Sequence, residues 1–314
     1  MSSRASDLVR DSQLNTRFVA GAIQHVYYLS SSTTRRRRIR TEETWRRQRE
    51  LGNGTFGRVW LEGCVSGSKQ GQLRAVKEIS KDGASTTIDY GRELEAIAKF
   101  SHGNYVHCFV KSYGWYETSD AVFIAMEYLE HGDLQKHLTG PLPEVEAKEI
   151  SSQLVEGLVF MHDNGFAHRD LKPGNILVLQ PGPEWWIKIS DFGISKRAEE
   201  ENTALRTLIG TEGYLAPELK GFQTAEDAAQ NDSNHPSYTF AVDIWSLGEI
   251  IFRMMSHEAA FRNPRDLFNY VVYNRPFPVE PLRKNSASED CVDFVIKFTL
   301  LIIGEDIRSG CYGG

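Results

Sequence analysis

The sequence predicts a segregated α+β architecture in two lobes, and three observations carry that reading. From Trp45 to about Leu129 the apolar residues fall in strand-like patterns. After Leu129 they recur at helical spacing. A run of strands followed by a run of helices separates in space instead of alternating as βαβ units. The third observation is size: 314 residues make roughly two domains, or one domain of two lobes, with chain enough for a sizeable core.

The elements follow in order. Residues 1–44 read as a basic, flexible segment: Ser30-Ser31-Ser32-Thr33-Thr34 leads into Arg35-Arg36-Arg37-Arg38, and such a charge run is ordinarily solvated. Within it Phe18 to Leu29 is apolar enough to dock on the body as a short strand or helix. Leu73, Ala75, Lys77 and Ile79 alternate, which puts them on one face of a strand. Val106 to Val110 and Ala121 to Tyr128 read as two further strands, and Ser66 to Gly71 as a hairpin loop. One helical pattern, Ile88 to Phe100, interrupts them with Leu94, Ile97 and Ala98 on one side. Ile150, Leu154, Leu158 and Met161 then recur at spacings of three and four, as a core-facing helix requires. Ala241 to Met255 is a second long apolar helix. The predicted division is 45–129 and 130–308, followed by a tail, 309–314.

Composition excludes several classes. The chain is 40% hydrophobic, 25% charged and 11% aromatic, close to an ordinary soluble protein. Its net charge of −6 hides an asymmetry. Residues 1–50 hold 11 Arg, no Lys and five acidic side chains, whereas the remainder holds 25 basic and 37 acidic ones. A uniformly basic nucleic-acid binder is therefore disfavoured. Only the Arg35 to Arg38 arm is left as a place to dock nucleic acid, anionic lipid or a nuclear importer. Four distant cysteines without a C-x-x-C pair form neither a disulfide framework nor a zinc signature. They fit a reducing compartment, cytoplasmic or nuclear. The best apolar run, Phe298 to Ile303, is far short of the about 18 residues of a membrane span. The N-terminus lacks the apolar core of a secretory signal, and Asp7 and Asp11 count against a transit peptide.

Chemistry enters at Gly52-Asn53-Gly54-Thr55-Phe56-Gly57, a G-x-G-x-x-G run. Glycines let backbone N–H groups approach phosphate without Cβ interference. A dinucleotide fold needs a helix opening within the run. Here Arg58-Val59-Trp60-Leu61 follows, a strand signal, which favours a hairpin lying over phosphates. Ala75-Val76-Lys77 then offers a strand lysine as counter-ion. A helix carboxylate must hold that lysine, and Glu93 and Glu95 are the candidates; Glu93 is chosen.

The most informative segment is His168-Arg169-Asp170-Leu171-Lys172-Pro173-Gly174-Asn175, which fills every position of H-R-D-x-x-x-x-N. Asp191-Phe192-Gly193 and Ala216-Pro217-Glu218 follow. Five such motifs in this order do not arise by chance. The sequence resembles the eukaryotic protein kinases, of Ser/Thr type, over residues about 45 to 308. Glu42 to Trp60 gives it the flavour of the calmodulin-dependent and checkpoint-like group, with a fungal member as the expectation.

The resemblance implies a two-lobed fold with ATP between a strand-rich and a helical lobe. It implies that Asp170 orients the substrate hydroxyl and accepts its proton, while Lys172 neutralises the transferring phosphate. Lys77, held by Glu93, takes the α- and β-phosphates. Asn175 and Asp191 are oxygen ligands suited to Mg²⁺. Val59 and Ala75 from above and Leu177 from below form the adenine slot, with Met126 at its back, and Leu51 beside the glycine run also binds ATP. Glu127 to Leu129 is the hinge, and Asp133 accepts from ribose hydroxyls. Lys172 and Gly210-Thr211 mark Ser/Thr specificity. Asp191 to Glu218 is the activation segment, in which an upstream kinase would phosphorylate Thr207, with Arg169 and Lys196 as the cations that receive it. Glu218 pairs with Arg308, and Asp243 lies under the catalytic loop; both are structural.

Three departures stand out. Gly174 replaces an acidic residue, which weakens a preference for arginine near the target hydroxyl. Gln223 to Ser237 reads as an insertion. The chain stops six residues after Arg308, where a further helix is expected, and so reads as cut short. The alternative function is a pseudokinase or nucleotide-binding module. The intact Lys77, Asp170, Asn175 and Asp191 argue against it, and the short C-terminus argues for it.

Overall fold

The computed structural model describes residues 7–31, 36–54, 57–81, 91–191, 213–222 and 240–300, with backbone only for 29–31, 36–38, 54, 91–93 and 300. These residues form two compact units that divide between Leu129 and Glu130.

The first unit is built on seven strands: β1 (Thr16–Val19), β2 (Ala22–Ser31), β3 (Arg36–Gly54), β4 (Gly57–Ser66), β5 (Leu73–Ser80), β6 (Ser112–Glu117) and β7 (Ala121–Glu127). They pair antiparallel in the order β1-β2-β3-β4-β5-β7-β6. Two helices join them, α1 (Asp7–Asp11) and α2 (Gly91–Phe100). The sheet curls back on itself. Gln13, just before β1, bridges in parallel to Trp115 of β6. Leu14 N donates to Trp115 O at 2.7 Å, and Trp115 N to Ser12 O at 3.1 Å. Bringing the two ends of the sheet together covers edges that would otherwise offer unpaired backbone groups.

Its interior face buries Ile23, Trp45, Cys64, Val76, Tyr116, Phe123 and Ala125. The opposite face of β5 carries Ala75, Lys77 and Ile79, and Ile79 packs with Leu94 of α2 and Ile124 of β7. Alternation along β5 predicts one buried face, yet both are buried: Arg74 and Val76 are as enclosed as Ala75 and Lys77. The curled sheet covers one side of this central strand, and residues such as Leu94 of α2 pack on the other.

Two expectations are corrected here. The described part of residues 1–44 is not a flexible arm but contains α1, β1, β2 and the start of β3, into which Arg36 to Arg38 fall. The β1–β2 connection is Ala20-Gly21, both at positive φ (48° and 73°), the mirror-image turn that matches strand twist. The apolar stretch Val106 to Val110 is not a strand. Cys108 N and Phe109 N both donate to Tyr105 O, in a helical turn. Phe109 is apolar because its ring packs 4.7 Å from that of Phe100, and the strand starts later, at Ser112.

His25 of β2 is completely buried in the interior. The Thr16 hydroxyl donates to Leu14 O at 3.0 Å, so its oxygen accepts from His25 Nδ1–H at 2.9 Å. Burial, with smaller contributions from the Arg74 and Lys69 charges, pushes the imidazole pKa down to about 3. Unfolded, it titrates near pH 6.5. Below that value the unfolded chain binds a proton the folded one refuses, so this stability is present above about pH 6.5 and is lost as pH falls toward 3. Wild type is expected to lose up to about 1.4 kcal/mol per pH unit from this group between pH 6.5 and 5, and His25→Asn to lack that slope. Equal slopes in denaturant unfolding of the two proteins would refute the assignment.

The second unit is mainly helical: α3 (Glu144–Asp163), α4 (Ala241–Ser256), α5 (Pro264–Tyr273), α6 (Glu280–Lys284) and α7 (Glu289–Leu300). A hairpin of β8 (Ile176–Gln180) and β9 (Trp186–Ile189) completes it. The predicted stripe of α3, Ile150, Leu154, Leu158 and Met161, is wholly buried. Gln153 ties α3 to the hairpin, donating to Trp185 O at 2.7 Å and accepting from Ile187 N at 3.0 Å. Gly248 lets α4 approach α7, since a Cβ there would lie 3.2 Å from Phe298 Cβ. Among the described residues no helix is long and apolar enough to cross a membrane.

Candidate active site

Register sets the first group of residues. Gly52 pairs with Val59, Asn53 with Arg58 and Gly54 with Gly57, so the glycine run tops the β3–β4 hairpin; Thr55 and Phe56 lie outside the described residues. Gly57 has φ +108°, and a Cβ there would sit 2.0 Å from Glu78 O. The sequence reads this glycine as making room for phosphate, whereas the structure shows it making room for β5. Gly52 and Asn53 are exposed and Leu51 is half-buried. Lys77 is laterally paired with Val59 and Ile124, and Ala75 with Leu61 and Met126. Lateral partners share a face, so Val59, Ala75, Lys77 and Met126 line one side of the sheet. Glu127 ends β7 and accepts from Lys111 N at 2.7 Å, and Leu129 is buried. Glu93 is on α2, with its side chain outside the described residues.

In the second unit the residues 168–175 form a tightly bonded loop. Asp243 of α4 is completely buried and accepts three hydrogen bonds: His168 N at 2.8 Å, Arg169 N at 2.7 Å and His162 Nε2 at 2.8 Å. His168 Nδ1 accepts from Asp170 N at 3.3 Å, which leaves Nε2–H to donate to Ser190 O at 2.9 Å. That neutral tautomer links the loop to the residue before Asp191. Arg169 and Asp191 both hold positive φ (65° and 57°), a strained backbone for side-chain-bearing residues that the surrounding bonds maintain.

Asp170 is buried, and two donors converge on its Oδ2: Lys172 Nζ at 3.0 Å and Asn175 Nδ2 at 3.1 Å. Asn175 Nδ2 also donates to Asp170 O at 2.7 Å. The Asn175 amide oxygen therefore faces the other side of its planar group. Ser190 N and Oγ both donate to Asn175 O at 2.9 Å, at the open end of the β8–β9 hairpin. Asn175 and Asp191 thus flank the same hairpin end. An amide oxygen and a carboxylate there fit a hard divalent cation such as Mg²⁺.

Asp133 and Leu177 are joined by an isolated antiparallel bridge. The Asp133 carboxylate caps the turn Leu134–His137, accepting from Lys136 N at 3.2 Å, and pairs with Lys136 Nζ at 3.0 Å. Gly174 is exposed, and Glu218 is half-buried in the turn Pro217–Lys220. Thr207, Lys196, Arg308, Gly210-Thr211 and the stretch Gln223 to Ser237 lie outside the described residues.

Sequence reasoning missed how Gly213 and Tyr214 are held. Arg253 pairs with Glu249 at 2.8 Å, donates to Gly213 O at 3.3 Å and lies 4.4 Å over the Tyr214 ring. Ser246 Oγ donates to Tyr214 O at 2.9 Å. Burial, opposed by Arg253, raises the Glu249 carboxyl pKa to about 7. The signal was an i, i+4 Glu–Arg pair in a mostly apolar helix.

A curled strand-rich unit, a helical unit and this loop architecture define the protein-kinase-like fold. The sequence profile described as "Protein kinase domain" matches residues 45–300, and the chain belongs to that family. Within it the chain stands with the Ser/Thr kinases of the calmodulin-dependent and checkpoint-like group. It is 33% identical over 255 residues to the serine/threonine-protein kinase cds1 of Schizosaccharomyces pombe, covering 79% of this chain and 52% of that protein. It is 34% identical over 221 residues to calcium/calmodulin-dependent protein kinase type 1 of Caenorhabditis elegans, covering 69% and 57%. The crystal structure of Rad53 1–466 in complex with AMP-PNP superposes with a TM-score of 0.63 at 28% identity, over 80% of this chain and 59% of that one. The chain spans about half the length of the curated relatives it matches.

Proposed function

We propose that this chain transfers the γ-phosphoryl group of ATP to Ser and Thr hydroxyls of protein substrates. The observation that carries the reading is the Asp170 carboxylate, fixed by Lys172 Nζ and Asn175 Nδ2 on a loop that Asp243 anchors. Phosphoryl transfer needs positioning and charge neutralisation more than covalent chemistry. Asp170 accepts the proton of the attacking hydroxyl. Lys172 meets the negative charge of the transferring group. Lys77, aligned by Glu93, holds the α- and β-phosphates, and Val59, Ala75 and Met126 present the apolar sheet face that receives adenine. Asn175 and Asp191 would hold Mg²⁺, which would supply neutralisation of the phosphate charge.

The test is transfer from γ-labelled ATP, with Mg²⁺, to a generic Ser/Thr substrate, with Asp170→Asn as the blank. Label on Ser and Thr above the blank supports the proposal. Nucleotide binding with no label above it overturns the proposal. Activation by phosphorylation of Thr207 belongs to the same proposal, with Arg169 and Lys196 as the phosphate's partners. Thr207→Ala is expected to lower the rate about tenfold or more, and an unmodified Thr207 in fully active enzyme refutes that step.

A further inference from the structure

We propose that residues Asp7–Leu14, which precede the kinase-domain match, are a built-in brace for α2, with Val9 and Trp115 as positioning residues for the Lys77–Glu93 pair. The inference rests on the proposed function and adds an element outside the matched residues 45–300. Val9 is 2% exposed and belongs to one cluster with Ile79, Leu94 and Ile124, against which Ile97, Trp115 and Met126 also pack. Leu94 sits next to Glu93 on α2. Ile124 is the lateral partner of Lys77, and Met126 that of Ala75. Val9 thus joins the residue after Glu93 to the strands on which Lys77 lies.

The brace is held at its own backbone. Trp115 Nε1 and Ser12 Oγ both donate to Val9 O at 2.9 Å. Residues 12–14 bond along β6 through Trp115, as described above. An independent feature shows that the sheet is shaped to receive them. Gly114 has φ +121°, and a Cβ there would come within 2.5 Å of Ser12 O and 2.9 Å of the Leu14 side chain. Only glycine admits the segment. A segment bonded this closely at one end and buried among α2 residues at the other restricts how α2 moves relative to β5. The spacing of Glu93 from Lys77 depends on that motion.

The experiment uses the full chain with Val9→Ser, Trp115→Phe and Gly114→Ala, and Leu158→Ala in α3 as a destabilised control. Amide hydrogen exchange is followed in residues 91–100 without substrate, and kcat/KM for ATP is measured alone and in a Lys77→Met background. Val9→Ser and Gly114→Ala are expected to speed α2 exchange about tenfold and to lower kcat/KM for ATP about tenfold. Trp115→Phe, which keeps an aromatic ring of smaller size and loses the Nε1–H bond to Val9 O, is expected to do so a few-fold. In the Lys77→Met background the added loss should vanish. Unchanged α2 exchange overturns the brace. So does a loss that persists without Lys77, or one that Leu158→Ala reproduces at equal stability. If wild type transfers no phosphate, the function proposal fails, while the exchange measurement still decides whether residues 7–14 brace α2.

Discussion

Asp170→Asn is expected to lower kcat by about 10²–10⁴-fold, the range general acid–base catalysis contributes. The KM for ATP should stay within about twofold, because a group that acts only at the chemical step does not move ground-state binding. The geometry makes the substitution specific. The tightest bond within the loop, Asn175 Nδ2 to Asp170 O at 2.7 Å, is to backbone and survives. So do the His168 and Arg169 N–H bonds to Asp243. An amide oxygen still accepts from Lys172 Nζ. What the amide cannot do is take a proton from the substrate hydroxyl. Steady-state kinetics and a thermal melt decide the matter together. A kcat within about tenfold of wild type would remove Asp170 from the chemistry. A large loss that tracks a lowered melting temperature would make Asp170 a scaffold residue instead.

The candidate site was legible because its chemistry is local. Asp170, Lys172 and Asn175 lie within six residues of one another, and the bonds that fix the carboxylate run inside that span. A short motif can encode that hydrogen-bonded core, although its anchor, Asp243, lies about seventy residues further along the chain. The helices that carry it were legible too, since Ile150, Leu154, Leu158 and Met161 declare one buried face by spacing alone. What stayed hidden depends on contacts between distant residues. The β1–β2 hairpin turns on Ala20-Gly21, which lacks the Asn or Asp that advertises such a turn. Arg36 to Arg38 carry no strand signal, yet they enter β3 because β2 pairs with it from Ile23 to Ser31. Closure through Gln13 and Trp115 joins residues about a hundred positions apart, and no periodicity reports it. Charged residues on a strand read as solvent-facing, so Glu62 and Arg74 gave no hint that they lie inside.

That hidden pair supports the largest stability prediction. Glu62 and Arg74 are lateral partners on β4 and β5, 0% and 1% exposed. Arg74 Nε and Nη2 both donate to Glu62 Oε2, at 3.0 and 2.7 Å, and the guanidinium lies 4.1 Å over the Trp45 ring. Glu62 Oε1 is buried with no hydrogen-bond donor among the described residues; the Arg47 Nε lies 3.8 Å away. Arg74→Met therefore strands a carboxylate whose main donors are gone, and is expected to cost about 3–5 kcal/mol. At about 2.1 cal/mol/K of unfolding entropy per residue, 314 residues correspond to about 1.5 °C per kcal/mol, so the melting temperature falls by roughly 5–8 °C. The double variant Arg74→Met/Glu62→Met removes both charges and fills similar volume, so it should recover most of the loss. A double-mutant cycle in denaturant separates the two outcomes. If the double variant is as unstable as Arg74→Met alone, the damage lies in lost packing on Trp45, and the unpaired carboxylate is not its cause. If Arg74→Met costs under about 1 kcal/mol, Arg47 swings in to replace Arg74 and the curled sheet is more adaptable than its packing implies.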